Sequence, residues 1–190
     1  MKSFIIRVVL AVGLLASCFS VMSQPSGIEG NCTPKQKNEL SIAARGFFDW
    51  YNQESKSIQK ITLVAKTGAK GTYRIQWKGV DSFMNILQTS GMFNEEYLDN
   101  WKDFFKTRDR FFVEQSQSKG VASGFEFDLL LQTARPSTVL KDLKKLKVHF
   151  INYTEDAYLV EVSVVNWYLV YFKKEAGKWK ISDVSNANDE

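Results

Sequence analysis

Hydrophobic residues follow a helical spacing over the first part of the chain and a strand-like alternation over the second. The helical spacing begins at Thr33, where a capping side chain, a proline at the next position and Gln36 form a typical helix start. The helix is predicted to end near Ser55, and its apolar stripe consists of Leu40, Ala43, Ala44, Phe47, Trp50 and Tyr51. Such a stripe predicts that the helix packs against a second layer.

A hairpin and two more helices are predicted next. Alternating residues from Ile61 to Trp77 indicate the hairpin, with its turn at Gly68 to Gly71. Asp81 is expected to cap a short helix that ends at Gly91, where a left-handed residue is favoured. Asn94 is expected to cap a longer helix, with one face formed by Tyr97, Leu98, Trp101, Phe104, Phe105, Arg108, Phe111 and Phe112.

The remaining chain predicts an antiparallel meander of five strands: Phe125–Gln132, Leu146–Tyr153, Asp156–Val165, Trp167–Lys174 and Lys178–Val184. The inward-facing residues are predicted to be Val148, Phe150, Tyr158, Val160, Val162, Val164, Tyr168, Val170, Phe172, Trp179 and Ile181. Together these elements predict an α+β fold, with N-terminal helices packed on a curved antiparallel sheet.

The opposite face of the sheet is unusually apolar for contact with water. It carries Leu159, Val165, Trp167, Leu169 and Tyr171 beside several polar residues. The chain's own elements are the expected cover, and a dimer partner or a bound ligand are the alternatives.

The first 23 residues have the layout of a secretory signal peptide. Lys2 and Arg7 precede an uncharged stretch from Val8 to Met22, and the composition turns polar from Gln24. A transmembrane helix needs a longer apolar run of roughly 20 residues. The sequence therefore predicts export to the periplasm or the medium.

Two processing sites are open. Cleavage after Ser23 gives a free exported protein and is favoured here, whereas lipidation of Cys18 in a lipobox-like sequence anchors the chain to the envelope. A membrane is expected to be a partner only through this anchor. The expected organisation is a signal peptide at 1–23, a linker at 24–32, a single domain at 33–184 and a tail at 185–190.

Composition excludes several classes of protein. Hydrophobic residues make up 44% and charged residues 24%, which is typical of a globular domain. The formal net charge of +4 falls to +2 without Lys2 and Arg7, so no nucleic-acid partner is expected. Cys32 is the only cysteine after Cys18, so the processed domain forms no intramolecular disulfide.

Recognisable catalytic and metal motifs are scarce. His149 is the only histidine, and no zinc spacing, phosphate loop, dinucleotide fingerprint or nucleophile elbow occurs. No cofactor or metal is therefore expected. Glu126 and Asp128 are the candidate acid–base pair, because a carboxylate in a dry pocket can act as a base.

Two sets of residues are candidate ligand contacts. Asp128, Gln132 and Arg135 would bind a polar ligand if their strand lies at a pocket mouth, and the alternative is a solvated strand face. The aromatic residues are candidates for stacking, although such residues are more often part of a core: Trp50, Tyr51, Trp167 and Tyr171.

The order of helices and meander, closing on Gly177 to Val184, resembles the cone-shaped fold of nuclear transport factor two and ketosteroid isomerase. Three motifs are similar to an exported bacterial family, domain of unknown function 3828: Phe47 to Tyr51, Ser90 to Phe93 with Tyr97, and Gly124 to Asp128. The resemblance covers about Thr33 to Val184. It implies a cone that opens between sheet and helices, and it supplies no catalytic residue.

These observations predict a non-enzymatic envelope protein that binds a small ligand or a protein. The first alternative is an isomerase- or hydrolase-like enzyme that uses Asp128 or Glu126. The second is an immunity-type inhibitor that binds a toxin through its outer surface. A homodimer through the sheet is compatible with the apolar opposite face.

Overall fold

A computed structural model describes residues 32–153 and 157–188, with no side-chain description at Phe150 and Tyr153. The predicted signal peptide, Cys18 and residues 24–31 of the linker lie outside the described residues. The prediction that Phe150 faces inward also lies outside them.

The described chain has an α+β fold, as predicted. Four helices and a short hairpin precede or flank a four-stranded antiparallel sheet of order β3-β4-β5-β6. The elements are α1 (Pro34–Gln59), β1 (Val64–Thr67), β2 (Thr72–Ile75), α2 (Trp77–Ser90), α3 (Glu95–Gln115), α4 (Pro136–Lys141), a 3-10 turn (Leu143–Lys145), β3 (Lys147–Tyr153), β4 (Tyr158–Ser163), β5 (Trp167–Glu175) and β6 (Lys178–Asn186).

The first helix begins as predicted. Thr33 Oγ1 accepts a hydrogen bond from the Gln36 backbone N–H at 3.2 Å, and Gln36 Oε1 accepts one from the Thr33 N–H at 2.9 Å. This reciprocal pair satisfies two amides that the helix itself leaves free. The helix runs to Gln59, one turn beyond the predicted end. Four residues of the predicted stripe are buried, Leu40, Ala44, Phe47 and Tyr51, and Ala43 and Trp50 are partly buried. Phe48, Ser55 and Ile58 are buried as well.

The hairpin is shorter than predicted and α2 begins earlier. The N–H groups of Gly79 and Val80 both donate to the Gln76 carbonyl, at 2.8 and 3.0 Å, so Trp77 starts a helix and does not extend a strand. The prediction that Asp81 caps this helix is wrong, because Asp81 lies in its second turn. The predicted end is confirmed, since Gly91 has a φ of 64°.

The third helix is confirmed, with Asn94 as its cap. Asn94 Oδ1 accepts from the Tyr97 N–H at 2.9 Å, and Glu95 and Glu96 occupy the first turn. The predicted apolar face is buried or packed against the core. Its aromatic rings form edge-to-face contacts. The rings of Trp101 and Phe104, for example, have their centres 5.4 Å apart.

The sheet supplies the other half of the core. The inward-facing set is confirmed apart from the undescribed Phe150, because all its other members are buried or packed against the core. The pairing register shifts between Val148 and Phe150, and again between Tyr171 and Phe172. Such bulges increase twist and curvature.

The predicted strand Phe125–Gln132 is wrong, because this segment folds into a turn. The Gln132 N–H donates to the Asp128 carbonyl at 2.8 Å, and the Asp128 N–H donates to the Thr133 carbonyl at 3.0 Å. Asp128 also bonds its own neighbouring amides, which competes with strand pairing. Leu130 and Leu131 are consequently both buried, which strand alternation would not allow.

Candidate functional site

The best candidate for an acid–base residue is held by three hydrogen-bond donors. Asp128 Oδ2 accepts from the hydroxyl of Tyr51, and Oδ1 accepts from the N–H groups of Leu130 and Leu131 at 3.1 and 2.8 Å. Tyr51 is fully buried on α1, whereas Asp128 is half-buried. The carboxylate therefore closes the turn and joins it to α1.

The hydrogen bond between Tyr51 and Asp128 also bears on the pKa of Tyr51. Burial first, and then the neighbouring Asp128 carboxylate, raise the pKa of the Tyr51 hydroxyl well above its usual value of 10.0. A tyrosine with a raised pKa stays neutral near pH 7 and keeps its proton for the hydrogen bond. Tyr51 is thus a donor to Asp128 under ordinary conditions.

The second predicted contact residue anchors the same loop to the sheet. Gln132 Nε2 donates to the Val184 carbonyl at 3.0 Å, and Gln132 Oε1 accepts from the Asn186 N–H at 3.2 Å. Gln132 has a φ of 47°, in the left-handed region. Its side-chain amide therefore holds the loop against the end of β6.

Arg135 lies in a different place, at an open cleft of about 350 Å³. The cleft lies between the 127–139 segment and the β4–β5 turn, and it is lined by Phe127, Thr133, Ala134, Arg135, Thr138, Val139, Val165 and Asn166. Phe127 and Val165 are 55% and 50% exposed. Within the described residues, no carboxylate forms an ion pair with Arg135.

Asp128 borders a smaller cavity of about 170 Å³. Apart from Asp128 and Gln59, its lining is apolar: Ile58, Ile61, Leu63, Phe83, Phe125, Phe127, Leu129 and Leu130. Phe127 borders both spaces. Asp128 and Arg135 therefore lie at neighbouring but separate openings.

The predicted aromatic cluster is divided between two faces. Trp50 packs in the core against Phe93, with ring centres 5.4 Å apart. Trp167 lies on the opposite face of the sheet, where its ring is 4.4 Å from that of His149 and 43% of the residue is exposed. Tyr171 shares that face and is half-buried.

At one end of this face Val165 and Trp167 are exposed, so no element of residues 32–153 and 157–188 covers the sheet there. His149 Nε2 lies 2.5 Å from Ser163 Oγ on the open strand surface. No hydrogen bond between this His149 and a carboxylate occurs in the described part of the chain.

Sequence reasoning missed most of the cleft. The predicted strand Phe125–Gln132 includes Phe127 but does not indicate a cleft, and no sequence pattern singles out Thr133, Thr138 or Asn166. Their approach depends on the turn at Asp128, which brings the loop beside the β4–β5 connection. The only local signal was the ability of aspartate to cap a turn in this way.

Across 32–153 and 157–188, no group of three or more metal-ligating side chains is placed to hold an ion. In the same ranges, none of the helices has the length and apolar character required to span a bilayer.

Comparison with protein-family models, with curated proteins and with solved structures gave no match in any of the three cases. Membership of the cone-shaped superfamily or of the exported bacterial family therefore stays a prediction.

Proposed function

We propose that this chain is an exported, non-enzymatic binding domain of the bacterial envelope, and that its cleft binds a small amphipathic anion. The observation that carries the proposal is an Arg135 guanidinium that has no ion pair within residues 32–153 and 157–188 and lies beside exposed apolar side chains in one concave space. An apolar ligand body would cover Phe127 and Val165, and an anionic group would pair with Arg135.

Size and chemistry support a small ligand. A volume of about 350 Å³ lies at the lower end of the range of roughly 300–1,000 Å³ for small-molecule pockets. Hydroxyl groups of Thr133 and Thr138 and the amide of Asn166 add polar contacts for orientation. A guanidinium is a fixed cation that suits carboxylate, sulfonate or phosphate groups.

The engaged carboxylates support a role without catalysis. Asp128 accepts from Tyr51 and from two backbone amides, and exposed Glu126 accepts from the Gly124 N–H at 2.7 Å. A base needs a free lone pair directed at its substrate. These contacts favour structural roles for both residues.

Fluorescence titration with 8-anilinonaphthalene-1-sulfonate tests the cleft, because this probe combines apolar rings with one sulfonate. We expect saturable binding at one site and roughly tenfold weaker binding in Arg135→Gln, since a hydrogen bond to a charged group contributes about 1.5 kcal/mol or more. Phe127→Ala should also weaken binding, by removing apolar contact.

Arg110→Gln is the matched control, because Arg110 is an exposed arginine on α3 outside the cleft. It should bind the probe like the unmodified chain, and near-ultraviolet circular dichroism should show that every variant is folded. Equal affinity in Arg135→Gln and Arg110→Gln would contradict the cleft as the binding site.

A homodimer through the sheet is the second candidate. Half-buried Leu159, Leu169 and Tyr171 continue toward exposed Val165 and Trp167 on one face. Lys147 and Glu161 lie on the same sheet, and a twofold contact would place the same surface of each copy against the other. Analytical ultracentrifugation should then show a dimer that Trp167→Asp converts to a monomer, whereas a monomeric unmodified chain would exclude it.

Export is tested by the mass of the chain recovered from a bacterial envelope. A polypeptide that begins at Gln24 would support the free form, and a lipidated Cys18 would support the anchored form. An unprocessed chain recovered only from the cytoplasm would contradict export.

A further inference from the structure

A second segment, distant in sequence from Arg135, contains basic residues and no acidic ones. Between Glu54 and Asp81 the chain has no acidic residue, yet it has six basic ones: Lys56, Lys60, Lys66, Lys70, Arg74 and Lys78. We call these six residues the basic strip. A second acid-free run, between Asp142 and Glu155, has three lysines, half as many basic residues as the strip.

The fold keeps the basic strip on adjoining elements. Lys56 and Lys60 are one helical turn apart at the end of α1, and Lys78 lies in the first turn of α2. These two ends meet, because Gly79 packs closely against the Thr62 carbonyl group. The hairpin extends from this junction and carries the other three cations.

Cross-strand pairing fixes the positions of the hairpin cations. Arg74 pairs with Ala65 on one face, and Lys66 pairs with Tyr73 on the other, where its Nζ lies 5.1 Å from the centre of the Tyr73 ring. Lys70 lies in the exposed turn. The cations therefore run from the junction to the tip of the hairpin and lie on both of its faces, with Lys66 and Lys70 exposed and Arg74 half-buried.

None of the six cations forms an ion pair within residues 32–153 and 157–188. Some exposed lysines of the described chain are paired, whereas others, such as Lys119 and Lys144, have no ion pair within the described residues either. Lys102, Lys106 and Lys145 each pair with an aspartate three residues earlier, at 2.8 to 3.0 Å. Repulsion among unpaired cations favours contact with an external negative surface.

Exposed apolar groups lie beside the same strip. Trp77, next to Lys78, is 43% exposed. The Tyr73 N–H donates to the Gln117 carbonyl at 2.8 Å, and its hydroxyl donates to the Gly120 carbonyl at 2.7 Å. These bonds hold the following loop against β2, and Val121 in that loop is 62% exposed.

We propose that the basic strip, with Trp77 and Val121, docks on the anionic headgroups of a lipid bilayer. Lysine and arginine near such a surface attract its phosphates, while an indole is favoured at the boundary between headgroups and acyl chains. A soluble polyanion would use the cations but would leave Val121 in water. A nucleic-acid surface typically offers several stacking rings, whereas this strip has one exposed tryptophan.

This docking is independent of the cleft and of Cys18. It adds a direct contact between the folded domain and the membrane, which a lipid anchor alone would not supply. The two proposals can fail separately, because they concern different residues and different probes.

Vesicle co-sedimentation of the full chain, in the form that the cell produces, tests the docking. Vesicles of phosphatidylglycerol and phosphatidylcholine are compared with vesicles of phosphatidylcholine alone, which measure any binding that does not need anionic headgroups. The test variant combines Lys66→Gln, Lys70→Gln and Arg74→Gln. The matched control combines Lys102→Gln, Lys106→Gln and Lys145→Gln, and changes the net charge equally.

We expect preferential binding to the anionic vesicles that weakens as salt is raised. The hairpin variant should bind roughly 100-fold more weakly, since three interfacial cations are removed, and the control should keep nearly all its affinity. Vesicles with brominated acyl chains should quench tryptophan fluorescence, and Trp77→Phe should lose that quenching.

Three results would overturn the proposal. The first is equal binding to both kinds of vesicle. The second is equal weakening of the hairpin and control variants, which would mean a response to net charge alone. The third is tight binding to heparin or DNA without binding to the vesicles, which would assign the strip to a soluble polyanion.

Discussion

The loop at 124–135 and the β1–β2 hairpin are both connections at the surface, yet they use polar side chains in opposite ways. In the loop, Asp128 and Gln132 bond to α1, to their own turn and to β6. In the hairpin, the charges of Lys66 and Lys70 have no anionic partner among the described residues. The Asp128 carboxylate, a candidate general base from sequence, thus makes structural hydrogen bonds. Lys66 and Lys70 make no ion pair within the described residues.

The largest expected effect concerns the junction from which the hairpin extends. In Gly79→Ala the new Cβ would overlap the Thr62 carbonyl oxygen and lie 2.9 Å from the Thr62 carbonyl carbon. Backbone must move, so we expect a loss of about 3 kcal/mol in the free energy of unfolding, measured by urea denaturation. Alanine's better helix propensity cannot offset this clash.

Gly46→Ala provides the contrast, because its new Cβ would meet only Met92 Cε, at 3.7 Å. This change in α1 should raise the free energy of unfolding by about 0.5–1 kcal/mol. Similar behaviour of both variants would show that the junction at Gly79 is not tight.

The second prediction concerns the loop. Asp128→Ala removes the acceptor for three donors and leaves the buried Tyr51 hydroxyl unpaired, so it should lower the free energy of unfolding by about 2–3 kcal/mol. Glu126→Ala, at an exposed neighbour, should change it by less than about 1 kcal/mol. Urea denaturation of both variants at pH 7 makes the comparison, and equal stabilities would refute the structural role of Asp128.

The third prediction uses alkaline pH. Because the folded state raises the pKa of Tyr51, it binds this proton more tightly than the unfolded chain does. The resulting stability is complete below about pH 10 and is lost as the pH rises further, by up to about 1.4 kcal/mol per pH unit. Burial also raises the pKa of Tyr97, so this residue contributes to the same loss of stability at alkaline pH.

Tyr51→Phe should therefore lose stability less steeply between pH 10 and pH 11 than the unmodified chain. Urea denaturation at each pH measures the slope. An identical slope in the variant would mean that Tyr51 does not contribute to this dependence.

The smallest effect is expected in the hairpin. Replacing Lys66, Lys70 and Arg74 together by glutamine should change the free energy of unfolding by less than about 1 kcal/mol, because Lys66 and Lys70 are exposed and half-buried Arg74 makes only a long hydrogen bond, of 3.4 Å, to the carbonyl of Tyr73. Calorimetry at two salt concentrations checks this. A large loss of stability would place these cations in the structural group with Asp128.

Local patterns predicted most of the fold. The Thr33 capping box, the Asn94 cap and the left-handed Gly91 are defined by neighbouring residues, and the meander follows from alternation that packing reinforces. The prediction that Trp77 ends the hairpin is wrong, because an aromatic residue after an alternating run indicates a strand, whereas Trp77 begins α2. The two backbone bonds that start α2 leave no such pattern.

The site was less predictable than the fold. Asp128 and Tyr51 are far apart in sequence, and no spacing rule indicates their hydrogen bond. The sequence predicts Arg135 as a candidate binding residue. It does not predict that Val165 lines the same cleft, because that depends on the conformation of the 124–135 loop. The basic strip is visible in the sequence as a run without acidic residues. The small net charge of the whole chain does not indicate it.

The central claim is that binding depends on unpaired cations and that Asp128 serves the fold. The affinity of Asp128→Asn for 8-anilinonaphthalene-1-sulfonate, measured beside Arg135→Gln, tests it most directly. We predict that Asp128→Asn binds within about twofold of the unmodified chain while Arg135→Gln binds roughly tenfold more weakly. Loss of binding in Asp128→Asn with its unfolding curve unchanged, and normal binding in Arg135→Gln, would contradict the account.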